Sequence, residues 1–363
     1  MIRRMFAGGL TPTGFVDFFK YIMPLENAKK RYFLKGSSGS GKSTFIKKIA
    51  AEFAAANVAI DLFHCANDAS SLDGMAIKDF GFCIFDATMP HAHDPELPAG
   101  VDEIIDFAQF LDGQKVRKHI DEIKTLLGSK KLLSKKAYTF LSTAGNIYSA
   151  EKKAYETALI TPRVQEWTRN CFNIFDKADS SNPDIGTNRK LFLSAVTPDG
   201  MVHFADNILS PYKIYCFCAK MGVGIDSVLV GLKDYANACG IDTESFYSPL
   251  EPTKLEYLLL PKEGLAFASS GGRYGYMGKG DEVIDLVHCF YPNRLQNAEL
   301  DMLQNGEIID SLLKAATASM KASRAAHSKI EEIYISAMDF DKVNALTRQM
   351  IGELLMELSQ ANA

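Results

Sequence analysis

Apolar residues along this chain follow two rhythms. Runs such as Tyr32-Phe33-Leu34, Val58 to Phe63 and Phe80 to Phe85 are short and nearly continuous, the pattern of strands buried on both faces. Elsewhere the apolar positions fall at helical spacing: Phe45 to Ala55 directly after the first run, Val116, Ile120, Ile123 and Leu127 farther on, and Ile330, Ile333 and Tyr334 near the end. Strand, helix and strand in alternation predict an α/β chain with a mainly parallel sheet in three layers, each core followed by a helical arm.

The same rhythm is written twice. Arg4 to Val16, which carries Thr11-Pro12-Thr13-Gly14, is echoed 186 residues later by Lys190 to Val202 with Thr197-Pro198-Asp199-Gly200. Asp102-Glu103-Ile104-Ile105-Asp106 returns as Asp281-Glu282-Val283-Ile284-Asp285 at an offset of 179, and Ser149 and Tyr155 return as Ser328 and Tyr334 at the same offset. A period this long marks a duplicated domain rather than a solenoid. The expected layout is a core over residues 1–112, a helical arm and linker over 113–186, a second core over 187–295 and a C-terminal arm over 296–363, the first helical excursion opening near Asp102.

Chemistry is concentrated in the first copy. Gly36-Ser37-Ser38-Gly39-Ser40-Gly41-Lys42-Ser43-Thr44 fits G-x-x-x-x-G-K-[ST] and stands between the first apolar run and the first helical segment, the setting of a phosphate-binding P-loop. Glycines let backbone N–H groups turn onto phosphates, and the helix start adds partial positive charge. Lys42 is placed to reach the β- and γ-phosphates of ATP, and Ser43 to set its hydroxyl on Mg2+. Asp86 ends the run that begins at Phe80 and is the candidate magnesium partner at a strand's C-terminal end, with a turn-forming aspartate as the alternative.

At an offset of 183 the second copy keeps the loop and inverts its charge. Gly36 becomes Ala219, Gly39 and Gly41 stay as Gly222 and Gly224, Lys42 becomes Ile225 and Ser43 becomes Asp226. The run Gly264 to Ser269, which matches the one ending at Asp86, has lost the acid. An aspartate with no lysine beside it repels a triphosphate, so one live site is expected, with Lys220 early in the second loop as the candidate substitute.

Two polar segments follow strands, where such folds line their ligand crevice. Met89-Pro90-His91-Ala92-His93-Asp94-Pro95 makes His91, His93 and Asp94 candidates for sensing phosphate or positioning water, with a structural turn, or a metal set completed by His64 or Asp94, as alternatives. His64 to Asp68, with Ser70, Ser71 and Asp73, is a candidate acceptor or base contact, with an Asx or Ser turn as the alternative. The second copy has Gly271-Gly272-Arg273-Tyr274 at the place of the first segment. If the copies pack about a pseudo-two-fold axis, Arg273 is a candidate arginine finger toward the first site; otherwise it is a surface or salt-bridged residue.

The duplicated P-loop core, Ser71-Leu72-Asp73-Gly74 and Pro90-His91-Ala92-His93-Asp94-Pro95 together make the chain resemble an uncharacterised bacterial, Firmicutes-type family of duplicated P-loop ATPase-like proteins. The resemblance covers nearly the whole chain and implies ATP binding without specifying a reaction. Ile225 and Asp226 depart from an intact tandem pattern.

Composition changes this picture little. The 363 residues are 47% hydrophobic, enough for packed cores, and no apolar run approaches the ~20 residues of a membrane span. Seven cysteines without a C-x-x-C pair read as small buried hydrophobes in a reducing, cytoplasmic setting. The net charge of −4 conceals a basic stretch, since residues 113–160 hold ten Lys and Arg against four acids. That stretch suits a polyanion, a nucleotide acceptor, a membrane surface or a protein partner, or is simply a solvated helical face. Three functions remain open: a Mg-dependent ATPase that moves its arms, a kinase for a small molecule or nucleotide with the basic arm as lid, and a nucleotide-gated switch with little turnover.

Overall fold

The computed structural model describes residues 1–175, 184–271 and 275–361. The first copy contributes β1 (Ile2–Met5), a hairpin of β2 (Gly8–Thr11) and β3 (Gly14–Asp17), β4 (Lys30–Lys35), α1 (Lys42–Ala55), β5 (Ile60–Cys65), β6 (Asp68–Ile77), β7 (Phe82–Asp86) and β8 (Asp102–Asp106). Helices α2 (Gly113–Arg117), α3 (Ile120–Glu156) and α4 (Thr161–Phe172) follow. The second copy supplies β9 (Asn188–Leu191), a hairpin of β10 (Ser194–Thr197) and β11 (Gly200–His203), α5 (Ala205–Leu209), β12 (Lys213–Cys218), α6 (Ile225–Ala238) and β13 (Thr243–Tyr247). It continues through β14 (Leu255–Leu260), β15 (Leu265–Ser270), β16 (Glu282–Asp285), α7 (Pro292–Ala337) and α8 (Phe340–Ala361).

The result is an α/β protein with two six-stranded mixed sheets. One runs β1-β5-β6-β7-β4-β8 and the other β9-β13-β14-β15-β12-β16, the same order strand for strand. Both are mostly parallel, with β6 and β14 reversed against both of their neighbours. Only Ala66 and Asn67 separate β5 from β6, and a connection that short can join only antiparallel strands, because a parallel return needs about a dozen residues or more.

Three layers per copy are not what forms. One face of the first sheet is covered by α1 and α8, with Phe45, Ile46, Ile49 and Phe53 of α1 packed beside Val343, Met350 and Leu354. The opposite face meets the second sheet: Met5, Phe33, Phe63 and Phe85 share one core with Leu191, Phe246, Leu259 and Ala268. The molecule is therefore layered helix, sheet, sheet, helix. The reason lies in the connections, since the β5–β6 link is a two-residue turn and the β6–β7 link a single 3-10 turn over Lys78–Phe80, neither long enough to cover the second face. Backbone bonds between Phe6 and Phe192, 2.9 and 3.0 Å in the two directions, join equivalent residues of the copies where the sheets meet.

A buried ion cluster lies at this junction. Arg3 and Arg189 are counterparts, as are Asp61 and Glu244. Arg189 reaches Asp61 at 2.5 Å and Glu244 at 3.2 Å, Arg3 pairs with both acids, and Lys78 adds 2.8 Å to Glu244. Burial alone raises a carboxyl's pKa, but Arg3 and Arg189, with Lys78, hold Asp61 and Glu244 below the usual carboxylate range.

The segments at Asp102 and Asp281, expected to open the helical excursions, instead hold the edge strands β8 and β16, each parallel to the strand that precedes its loop. The arms then exchange partners. From α3 of the first copy, Leu141, Ala144, Tyr148 and Tyr155 enter the second copy's core beside Ile225 and Val228 of α6. From the second copy, α7 and α8 return to cover the first copy's loop. The two long helices run antiparallel, as Ser134 to Ser323 at 3.0 Å and Lys130 to His327 at 2.9 Å show.

Candidate nucleotide site

Parallel pairing sets Leu34 beside Asp86, so the loop leaving β4 and the acid ending β7 emerge on the same side of the sheet. Gly41, with φ 94°, is the residue that turns the loop into α1, and Gly39 has φ 75°, both in the left-handed region that favours glycine. Gly39 is also constrained from outside. A Cβ there would lie 2.7 Å from the Glu331 carbonyl oxygen on α7.

Within this turn Lys42 is buried and donates to the carbonyls of Gly36 and Ser37, 2.9 Å each, while its Nζ stands 3.5 Å from Asp86 Oδ2. Asp86 is held from the other side, its Oδ1 accepting from the Thr88 hydroxyl at 2.6 Å and amide at 3.0 Å. The Ser43 hydroxyl accepts from the Leu72 amide at 2.9 Å, which ties the start of α1 to β6. Ser40 Oγ is buried with no hydrogen-bond partner among the described residues, and Thr44 is exposed.

The sequence set Asp73 among possible acceptor contacts; the structure brings it to this site. Burial lifts its carboxyl to a pKa of about 6, with Asp86 adding to the rise and His91 and Lys42 opposing it. His91 is buried, stacks on Phe19 with centroids 4.3 Å apart, donates from Nδ1 to the Asp86 carbonyl at 2.8 Å, and presents Nε2 3.8 Å from Asp73. His93 and Asp94 have different partners. His93 bonds Asp17 at 3.0 Å, and Asp94 pairs with Lys35 at 3.2 Å. His64 bonds the Ala69 carbonyl, and Asp68 caps Ser70 and Ser71, so much of that segment is turn chemistry. Among the described residues no group of three or more His, Cys, Asp or Glu is set to hold a metal by itself, so the set of His91, His93 and His64 or Asp94 does not assemble.

Above the loop stand residues from both arms. His327 of α7 is 3.0 Å from Ser38 Oγ through Nε2, and its Nδ1 is 2.9 Å from Lys130 Nζ of α3. Burial, then the charges of Lys130 and Lys42, push the His327 pKa down to about 4, so the imidazole is neutral at pH 7. Arg324, one turn away, pairs with Asp68 and Asp199 at 3.0 Å each. Nothing in the local motifs marked these residues, because the chain brings them to the loop from 86 to 291 positions away.

The second copy's loop is closed by its own ion pairs. Lys152 of α3 reaches Asp226 at 3.4 Å and Glu251 at 2.9 Å, while Ile225 is buried in the core. Lys220 pairs with Glu299 at 2.7 Å. Arg273 lies outside the described residues. Comparison with protein-family models, with curated proteins and with solved structures finds no significant match to this chain. Among the described residues no helix is long and apolar enough to cross a membrane.

Proposed function

We propose that the chain binds Mg2+-ATP at residues 36–44 and hydrolyses it there, at one site per chain, as a duplicated P-loop ATPase whose second copy serves structure and regulation. The observation that carries this reading is Lys42, buried at the start of α1 and 3.5 Å from the acid that ends the neighbouring parallel strand. The residues fit the ligand. Ser40 Oγ is a buried polar atom without a partner among the described residues, and two left-handed glycines shape the cradle. Lys42 and the amides opening α1 would receive the β- and γ-phosphates. Ser43 and Asp86 would hold magnesium, which supplies positive charge to the phosphate oxygens. Asp73 and His91 flank the place where a water or acceptor hydroxyl would stand.

A gated switch is the second reading, favoured by α7 lying directly on Gly39. Lys115, Lys118, Lys124, Lys131, Lys135 and Lys136 are exposed along α2 and α3, and under either reading form the surface for a polyanionic or protein partner. Incubation with γ-labelled ATP and magnesium, with and without metabolites and nucleic acids, separates the classes. Label in free phosphate is the expected result. Label in a metabolite would make the protein a kinase, and bound ATP with no label transfer would make it a switch.

A further inference from the structure

Resting on the nucleotide reading, we propose that Lys130 and His327, one from each arm, form the element that reads the terminal phosphate and so distinguishes the triphosphate from the diphosphate.

The position is suited to that role. His327 touches Ser38, which lies inside the phosphate loop, and Lys42, the group that reaches β- and γ-phosphates, is close enough to depress its basicity. Lys130 is half-buried beside a neutral imidazole, and among the described residues no carboxylate lies within ion-pair distance of it; Glu331 acts on it only at longer range. A partly desolvated ammonium whose hydrogen-bond partner carries no charge is stabilised by an arriving anion.

The duplication supplies a control. At the offset of 179 that relates the arms, Lys130 corresponds to Ile309 and His327 to Tyr148. Ile309 is 0% exposed and Tyr148 4%, and both lie in the apolar core under the second loop. The same helix crossing is thus filled by an apolar pair where the loop has lost its lysine, and by a polar pair where the loop has kept it. Packing alone does not require Lys130 and His327. Over the second loop, moreover, the arm's cation Lys152 is already taken by Asp226 and Glu251, whereas Lys130 is left for a ligand. When a γ-phosphate arrives over Ser38, Lys130 gains an anionic partner and His327 Nε2, now 3.0 Å from Ser38 Oγ and 3.6 Å from Glu331, exchanges these contacts for the phosphate; because the two residues sit on different arms, the crossing of α3 and α7 becomes tied to nucleotide state.

The test is calorimetric titration of the full chain with Mg-ATP and with Mg-ADP. Lys130→Ala and His327→Gln are each expected to weaken ATP by about tenfold or more, the range for a charge-assisted hydrogen bond, while ADP stays within about twofold. The double variant Lys130→Ile with His327→Tyr, which copies the second crossing, is expected to keep the thermal midpoint and lose the discrimination. Equal losses for both nucleotides, or full discrimination in the folded double variant, would overturn the inference. If the unaltered chain bound neither nucleotide, the nucleotide reading itself would fall and this inference with it.

Discussion

Lys42→Ala is expected to remove Mg-ATP binding while leaving the fold intact. Its ammonium is buried, is the charged group closest to Asp86 within the loop, and donates to two carbonyls of its own turn. Removing one member of a buried, hydrogen-bonded charge contact costs about 2–5 kcal/mol, which is a loss of roughly thirtyfold to several thousandfold in affinity. Lys35 does not replace it, being committed to the Ala87 and His93 carbonyls and to Asp94. The check pairs nucleotide titration with far-ultraviolet circular dichroism. Unaltered affinity in a folded variant would remove the phosphate role from the loop.

Arg189→Met is expected to be the most destabilising single change in the molecule outside its apolar cores. The guanidinium holds Asp61 and Glu244 and also donates to the carbonyls of Tyr21 at 2.7 Å and Ile22 at 3.0 Å, so its loss strips buried acceptors on both sheets. Breaking a buried ion pair in this way costs about 3–5 kcal/mol. The sign with pH follows from the carboxyls. Both have folded pKa values lowered from unfolded values of about 3.9 and 4.3, so their stabilisation is fully present above pH ~5 and is lost as pH falls through the folded values. Denaturant titrations between neutral pH and pH ~2 should show a steep acid loss in the parent and a shallower one in the variant. Matching slopes, or a cost under about 1 kcal/mol, would show that the cluster contributes little.

What the sequence disclosed and what it withheld divide along a physical line. The strand–loop–helix setting of Gly36 to Thr44 was legible because it rests on local pattern, and β4 and α1 flank the loop as the apolar positions require. The duplication was legible because counterparts keep fixed offsets, and the two sheets repeat strand for strand. Which surface covers a sheet face was not legible: Phe33 and Phe85 read as buried, but nothing local says that the other copy's sheet, rather than a helix, buries them. The short acidic segment at Asp102 carries too little pattern to separate an edge strand from the start of a helix. Of the residues singled out at and after the end of β7, Asp86 stands beside Lys42 and His91 bonds the Asp86 carbonyl, whereas His93 and Asp94, only two and three residues on, turn to Asp17 and Lys35. Lys130 and His327 meet across 197 residues, and only an arm-against-arm comparison of the copies reveals that a polar pair stands where the other crossing holds Ile309 and Tyr148.

The exchange of arms gives the second copy a structural part in the first copy's loop. Its core anchors α3 through Tyr148 and Tyr155, and α3 in turn carries Lys130 to the first loop. A chain reduced to its first core would keep the loop at Gly36 to Thr44 and lose the wall above it, since Glu331 and Ile335 against Gly39, and Phe340 against Gly41, all come from the far end of the sequence.

The central claim is one nucleotide site, built on Lys42 and Asp86 and not repeated at Ile225 and Asp226. Its most direct test is the stoichiometry of Mg-ATP binding to the full chain by isothermal titration calorimetry. One nucleotide per chain is the expected result; a ratio of two would show that the second loop also binds, and no binding at all would contradict the account at its root.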